Sequence, residues 1–240
     1  MKLSILMPVF NEKGYLEDIV KKVLSQQVPG VDTREIIMVD DASTDGTTDK
    51  IKAVAAQYPD KIRAYFHQKN AGKGAALRTA IAQMSGDICI IQDADLEYDP
   101  ADYPLVLEPI VSGRADCVYG SRFVGAQAKR VLFFWHLLGN RVITLLSNML
   151  TNLSFTDIET CYKAFRCELL KSIPIRSNRF GFEPEITAKI SRRKCHIYEV
   201  GISYKGRTYE EGKKITWRDA FPAIFTILKF WIIDDSCKKL

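Results

Sequence analysis

The residues of this chain best suited to chemistry sit in one short stretch, Ile88-Cys89-Ile90-Ile91-Gln92-Asp93-Ala94-Asp95-Leu96-Glu97. A short apolar run there reads as a buried strand. It ends abruptly in two aspartates, with Glu97 two residues further on. Carboxylates at the carboxyl end of a strand lie where open α/β sheets bind their ligands. Crowded this closely, they repel one another unless a cation sits between them. Hard oxygen donors suit Mg²⁺ or Mn²⁺, and Mg²⁺ typically takes one or two protein carboxylates and completes its shell from phosphate and water. Two readings stand: a metal that bridges the protein to a diphosphate, or a solvated acidic turn.

The elements that must position these residues follow in order. Leu3–Val9 is an apolar run, hence a buried strand, with Pro8 at its end where a missing N–H is tolerated. Asn11-Glu12 follow, then a helical pattern from about Tyr15 to Gln27, broken by Pro29-Gly30. Glu35–Val39 reads as the second strand and ends in Asp40-Asp41-Ala42-Ser43-Thr44-Asp45. Ser43 and Asp45 are as well suited to capping the next helix, Thr47–Gln57, as to holding a ligand. Ile62–His67 is a third strand. The loop Lys69-Asn70-Ala71-Gly72-Lys73-Gly74 has glycines that let backbone approach a ligand, and Ala75–Met84 is the helix after it. Asp116–Ser121 is a further strand, ending in Gly120-Ser121-Arg122. Strands alternating with helices at this spacing predict βαβ units and a largely parallel sheet. Asn11, Asp40, Asp41, Lys69, Asp93, Asp95 and Arg122 all fall at strand ends, and that coincidence is the main internal argument for one site.

After Arg122 the pattern changes. Arg130–Leu150 is a long apolar helical pattern interrupted by His136, Gly139, Asn140 and Arg141. It is either a core element or an interfacial one with Phe133, Phe134 and Trp135 at headgroup level. Phe180–Glu185 leads into a helix to about Ser191, and His196–Tyr204 is a last strand. Lys205–Trp217 is a basic loop. Residues 220–233 form an apolar helical stretch that spans only ~21 Å, short of a ~30 Å hydrocarbon core. It reads as an in-plane membrane anchor in preference to an oligomer contact. The domain reading is thus a catalytic unit over 1–218 and an apolar tail over 219–240.

The chain has 240 residues, is 47% hydrophobic and carries a net charge of +5, which fits a globular α/β domain. The first 170 residues lean acidic, and the positive charge is concentrated in residues 171–218. A basic segment beside an apolar tail suits lipid headgroups or phosphates. No nucleic-acid motif occurs. The six cysteines form no Cys-x-x-Cys pair and no zinc spacing, which points to a reducing compartment. The apolar N-terminus is too short for a signal peptide and reads better as the first strand.

With these residues assembled, the chain resembles the family 2 glycosyltransferases, which have the GT-A fold. The carriers are Met7–Glu12, Val39–Thr47, Asn70–Gly74 and Asp93-Ala94-Asp95. The second half looks like the polyprenyl-phosphate branch, the dolichol-phosphate mannose and glucose synthases and their bacterial relatives. It does so through Gly120–Phe123, Thr160–Arg166, Phe180–Glu183 and Gly206–Ile215. The resemblance implies a Rossmann-like sheet with membrane-interface helices at the C-terminal side. It implies a nucleotide-sugar pocket made by Pro8, Asn11, Glu12, Asp40, Asp41, Lys69, Gly72, Lys73 and Ala94, with an Asp carboxylate accepting from the base. It implies a metal on Asp93, Asp95 and Glu97, although Glu97 stands where mannose synthases usually carry Gln. Arg122, Arg130, Arg207 and Lys213 would face the lipid phosphate, with Arg122 and Arg207 acting in catalysis beside the aspartates.

The implied reaction moves a hexose from a UDP- or GDP-sugar to a dolichyl or undecaprenyl phosphate, with Mg²⁺ or Mn²⁺ and inversion at the anomeric carbon. The attacking phosphate is already an anion, so no general base is required. Glu183 is either such a base or, preferably, the partner of an arginine. A carbohydrate acceptor is the rival reading, and a non-catalytic nucleotide-sugar binding protein a third. The implied location is cytoplasmic, peripheral at the inner face of a membrane, with a separate membrane protein or a second copy as possible partners.

Overall fold

In the computed structural model the described residues are all but 126–129, 132, 180, 209, 212–224 and 231–240. The chain runs β1 (Lys2–Val9), α1 (Leu16–Ser25), β2 (Thr33–Asp40), α2 (Thr47–Gln57), β3 (Ile62–Phe66), α3 (Lys73–Gln83) and β4 (Ile88–Ile91). It continues with α4 (Tyr103–Val111), β5 (Cys117–Ser121), α5 (Phe134–Thr151), β6 (Lys163–Arg166), α6 (Cys167–Lys171), α7 (Phe182–Ile190) and β7 (Ile197–Gly201). Seven strands make one sheet in the order β3-β2-β1-β4-β6-β5-β7.

The parallel half follows from the sequence pattern. β1 and β4 are covered on both faces, so they read as unbroken apolar runs rather than as alternation. In α1, Leu16, Ile19, Val20 and Val23 recur at helical spacing and are buried. β1 pairs with β2 from Lys2↔Thr33 to Val9↔Asp40 and with β4 from Leu3↔Ile88 to Leu6↔Ile91. This register brings the ends of three strands, and hence Pro8, Asp41 and Asp93, to one edge.

The other half departs from a simple parallel sheet. β6 is inserted antiparallel between β4 and β5 (Cys89↔Phe165, Cys117↔Phe165). Its four residues include a charged one, Lys163, that is fully buried, so no apolar run announces it. α4 carries Pro104 in its first turn and Pro109 inside; these prolines hide a helix that the sequence pattern leaves unassigned. α5 is a single 18-residue helix. It buries Ile143, Thr144 and Ser147, while Phe134, Trp135, Leu138, Val142, Leu145 and Met149 are exposed, so it is not a core helix. Of the apolar tail only residues 225–230 are described, and they are helical. Ile227 and Phe230 are buried there, and Phe225 and Leu228 are exposed. No helix among the described residues is long and apolar enough to cross a membrane.

Candidate active site

A cleft of about 620 Å³ opens at the carboxyl edge of the sheet, within the range of small-molecule sites. Its first wall is the α3 entrance. Gly72 has φ +97°, and a Cβ there would collide with the Asn178 carbonyl and Arg179, so the loop needs glycine. Asp41 ties this loop down. Its carboxylate accepts from the backbone N–H of Ala71 at 3.0 Å and of Gly72 at 2.6 Å, and meets His67 Nδ1 at 2.7 Å. Asp41 lines the cleft with Pro8, Glu12, Gly72 and Lys73, but its donors are the protein's own.

Asp93 and Asp95 form the floor. Lys73 Nζ lies 3.0 Å from Asp93 and 3.0 Å from Glu183. Burial opposes the Lys73 charge, but these two carboxylates more than offset it and hold the ammonium well above its ordinary value. Asp95 is buried and meets Arg207 Nη2 at 2.6 Å. Burial, together with the charges of Asp93 and Glu97, pushes its carboxyl up to about 7 against the pull of Arg207. The same guanidinium reaches Glu97 at 3.0 Å and Glu12 at 3.3 Å. Each floor aspartate is therefore already paired with a protein cation.

This arrangement bears on the expected metal. Glu97 is engaged by Arg207 and by the Tyr204 hydroxyl, which donates to it at 2.7 Å. Among the described residues no three His, Cys, Asp or Glu side chains converge as a metal group. Here Glu97 answers an arginine and a tyrosine. Asp93 and Asp95 remain, two hard oxygen donors in a crowded negative floor that already holds a cationic guanidinium in contact. They fit a cation that takes its other ligands from phosphate and water.

The second wall carries positive charge. Arg122 is gripped by the fully buried Asp157, which accepts from its Nε at 2.7 Å, its Nη2 at 2.8 Å and its backbone N–H at 3.1 Å. Despite burial, that pairing raises the guanidinium well above its usual value. The rings of Tyr204 and Phe123 lie 5.3 and 5.5 Å from it. Glu199 in turn accepts from the backbone N–H groups of Thr156 and Asp157 at 2.9 and 3.2 Å. Arg122 is thus one cation in one orientation at the cleft wall. Arg130 also lines the cleft and pairs with Glu211 at 2.7 Å. From α5, His136, Leu137 and Asn140 complete this wall.

Several expected site residues lie elsewhere. The Asp40 carboxylate accepts from the Ser43 hydroxyl at 2.6 Å and the Thr48 hydroxyl at 2.5 Å, so it stabilises the turn into α2 and does not line the cleft. Asn11, with φ +52°, accepts from the Thr44 N–H at 2.8 Å and is likewise in that turn. The Asp45 carboxylate accepts from the Thr47 hydroxyl at 2.5 Å and from its backbone N–H at 3.0 Å, just ahead of α2, whose N-cap is Gly46. Lys69 is exposed and outside the cleft lining. Glu183 pairs with Lys73, not with an arginine. Lys213 lies outside the described residues. Asp157, Glu159 and Tyr204 belong to the site or its support although no residue pattern singles them out, and Cys161, from the Thr160–Arg166 stretch, lines the cleft with them.

The profile described as "Glycosyl transferase family 2" matches residues 4–173. The chain is 28% identical over 221 residues to a dolichol-phosphate mannosyltransferase of Pyrococcus furiosus, covering 90% of this chain and 61% of the relative. It is 25% identical over 211 residues to an undecaprenyl-phosphate 4-deoxy-4-formamido-L-arabinose transferase of Pseudomonas aeruginosa, covering 88% and 60%. The chain thus spans about three-fifths of the length of these relatives. Among solved structures it superposes on glucosyl-3-phosphoglycerate synthase of Mycobacterium tuberculosis in complex with Mn²⁺, UDP and phosphoglyceric acid. The TM-score is 0.72 at 24% identity, covering 98% of this chain and 80% of that one. This likeness is one of fold.

Proposed function

The chain belongs to the family 2 glycosyltransferases, and from that premise we propose that it transfers a hexose from a nucleotide diphosphate sugar to a polyprenyl phosphate at a membrane surface. It has the GT-A fold. The observation that carries the lipid acceptor is the shape of α5. One side of this helix supplies His136, Leu137 and Asn140 to the wall that also holds Arg122 and Arg130. The other side exposes Phe134, Trp135, Leu138 and Met149. The helix that walls the arginine side of the cleft thus turns an exposed apolar face outward, and an apolar patch of this kind suits a membrane interface. Both relatives named above carry a polyprenyl-phosphate acceptor in their names.

The residues divide the work. Pro8, Asp41, Gly72 and Lys73 frame the nucleotide end. Asp93 and Asp95 would hold Mg²⁺ or Mn²⁺, which when bound neutralises charge on the departing nucleoside diphosphate. Arg122, held rigid by Asp157, orients the acceptor phosphate for in-line attack. A phosphate oxygen forms the new bond to the anomeric carbon as the bond to the diphosphate breaks, with inversion. The nucleophile is an anion throughout, so no side chain has to take a proton. Donor and acceptor meet at the inner face of a membrane, where a soluble nucleotide sugar reaches a lipid headgroup.

Steady-state kinetics with a short polyprenyl phosphate test this reading. Arg122→Ala is expected to cost at least about tenfold in kcat/KM for the lipid phosphate, with donor affinity retained. Unchanged acceptor kinetics in Arg122→Ala would remove the basis for the lipid-phosphate site.

A further inference from the structure

Among the described residues, five lysines and arginines line the cleft, and four of them are matched to carboxylates. Lys73 answers Asp93 and Glu183, Arg122 answers Asp157, and Arg130 answers Glu211. Arg207 answers Asp95, Glu97 and Glu12. The fifth is Arg179, which has no carboxylate partner among the described residues. It lies between α6 and α7, outside any helix or strand, and its side chain is exposed. An unpaired arginine in such a place is ordinarily a solvated surface group, but the backbone that carries this one is clamped.

Two side chains hold it from different helices. Glu185 in α7 is fully buried, and its carboxylate accepts from the backbone N–H of Arg176 at 2.7 Å and of Ser177 at 2.6 Å, with Lys189 Nζ 2.5 Å away. Arg78 in α3 donates from Nη1 to the Ser177 carbonyl at 2.7 Å and from Nη2 to the Asn178 side-chain oxygen at 2.5 Å. The turn also lies directly on the α3 entrance. The Asn178 carbonyl accepts from the Ala75 N–H at 3.0 Å. A Cβ on Gly74 would meet the Ser177 carbonyl, and one on Gly72 would meet the Asn178 carbonyl and Arg179 Cγ. A helix N-terminus is a ready anion site, yet here a carbonyl covers one of its N–H groups. What the turn lays against Gly72 in exchange is Arg179. We propose that Arg179 binds the diphosphate of the donor, and that Arg78, which does not line the cleft, is its positioning residue through the turn. An unpaired guanidinium offers its fork to a phosphate without first releasing a carboxylate. Its place on the wall of Gly72 and Lys73 selects the donor phosphates, while Arg122 on the other wall faces the acceptor. The assignment rests on the glycosyltransferase reading above and adds a phosphate contact that neither strand ends nor motif spacing marks.

The test pairs calorimetric titration of the whole chain with UDP and GDP, Mn²⁺ present, with the KM for a short polyprenyl phosphate. The proteins are the wild type, Arg179→Ala, Arg179→Lys and Arg78→Ala. Arg179→Ala is expected to bind the preferred nucleoside diphosphate about tenfold more weakly, the worth of one charge-assisted hydrogen bond, with KM for the lipid phosphate unchanged. Arg179→Lys keeps the charge and should recover part of the loss. Arg78→Ala should show a smaller loss in the same direction, again without a change in acceptor KM. Nucleoside diphosphate binding that is unchanged in Arg179→Ala overturns the assignment and leaves the glycosyltransferase reading intact. So does a rise in acceptor KM alone, which would give Arg179 to the acceptor phosphate, and so does a parallel loss in both, which would mean a general structural defect. A loss in Arg179→Lys as deep as in Arg179→Ala would overturn the phosphate contact. Wild-type binding in Arg78→Ala would overturn the positioning role. A wild type that binds neither UDP nor GDP contradicts the glycosyltransferase reading itself, and the assignment with it.

Discussion

At the scale of single residues, the site is a matter of who neutralises whom. Asp93 answers Lys73 and Asp95 answers Arg207, so a cation entering the floor meets a charge balance already made by side chains. Asp95→Asn keeps the shape and removes a hard donor. Its turnover should fall at least about a hundredfold, and Mn²⁺ should no longer tighten nucleotide binding, as read by titration with and without EDTA. Asp157 acts at one remove, as a positioning residue for Arg122. Asp157→Asn should raise KM for the acceptor about tenfold while KM for the donor stays put, and Asp157→Glu should recover part of the loss. Equal changes in both KM values would mean a general structural defect. The aspartate pair and Arg122 were legible in the sequence because strand ends mark ligand sites in this class of sheet. Asp157, Glu159 and Tyr204 were not. They sit in irregular segments where neither periodicity nor spacing singles out a residue, and only the fold brings them to the cleft.

At the scale of elements, the parallel half of the sheet was readable because each strand is an apolar run and each helix is bounded by Gly or Pro. The antiparallel β6 and the proline-bearing α4 were not, since tertiary burial there overrides local pattern. The junction of the Asp41 turn with α3 is the tightest joint of the site. Gly72→Ala must adopt φ +97° and push against Asn178 and Arg179. It should destabilise the protein by about 1–3 kcal/mol, measured by denaturant unfolding, and should weaken nucleotide binding as well. α5 calls for the opposite outcome. Trp135 is 74% exposed and Phe134 63%, so the double change to Ala should leave the melting temperature unchanged. It should instead reduce cosedimentation with vesicles of anionic phospholipid. Equal sedimentation of both proteins would detach α5 from any membrane role.

At the scale of the whole molecule, the edge of the sheet opposite the site holds the frame together. Glu35 accepts from the Ser4 hydroxyl at 2.6 Å and the Ser85 N–H at 2.8 Å, and pairs with Arg63 at 2.8 Å and Lys2 at 3.2 Å. Burial works against its charge, but these donors prevail and lower it from an ordinary 4.5 to about 2. A depressed carboxylate contributes stability in full above its unfolded value and loses it as pH falls through the folded one. Glu35→Ala should therefore cost about 2 kcal/mol at neutral pH, and the gap from wild type should shrink between pH 4.5 and 2. A gap constant over that window would place the stabilisation elsewhere. The central claim concerns what the whole assembly of floor, wall and α5 accepts. The most direct measurement is a transfer assay with a labelled panel of UDP- and GDP-hexoses, Mn²⁺, and either a short polyprenyl phosphate or phosphoglycerate as acceptor. Label extracted into organic solvent from the lipid phosphate, lost with EDTA and in Asp95→Asn, is the predicted result. Label transferred only to the water-soluble phosphate, with none in the organic phase, would contradict it.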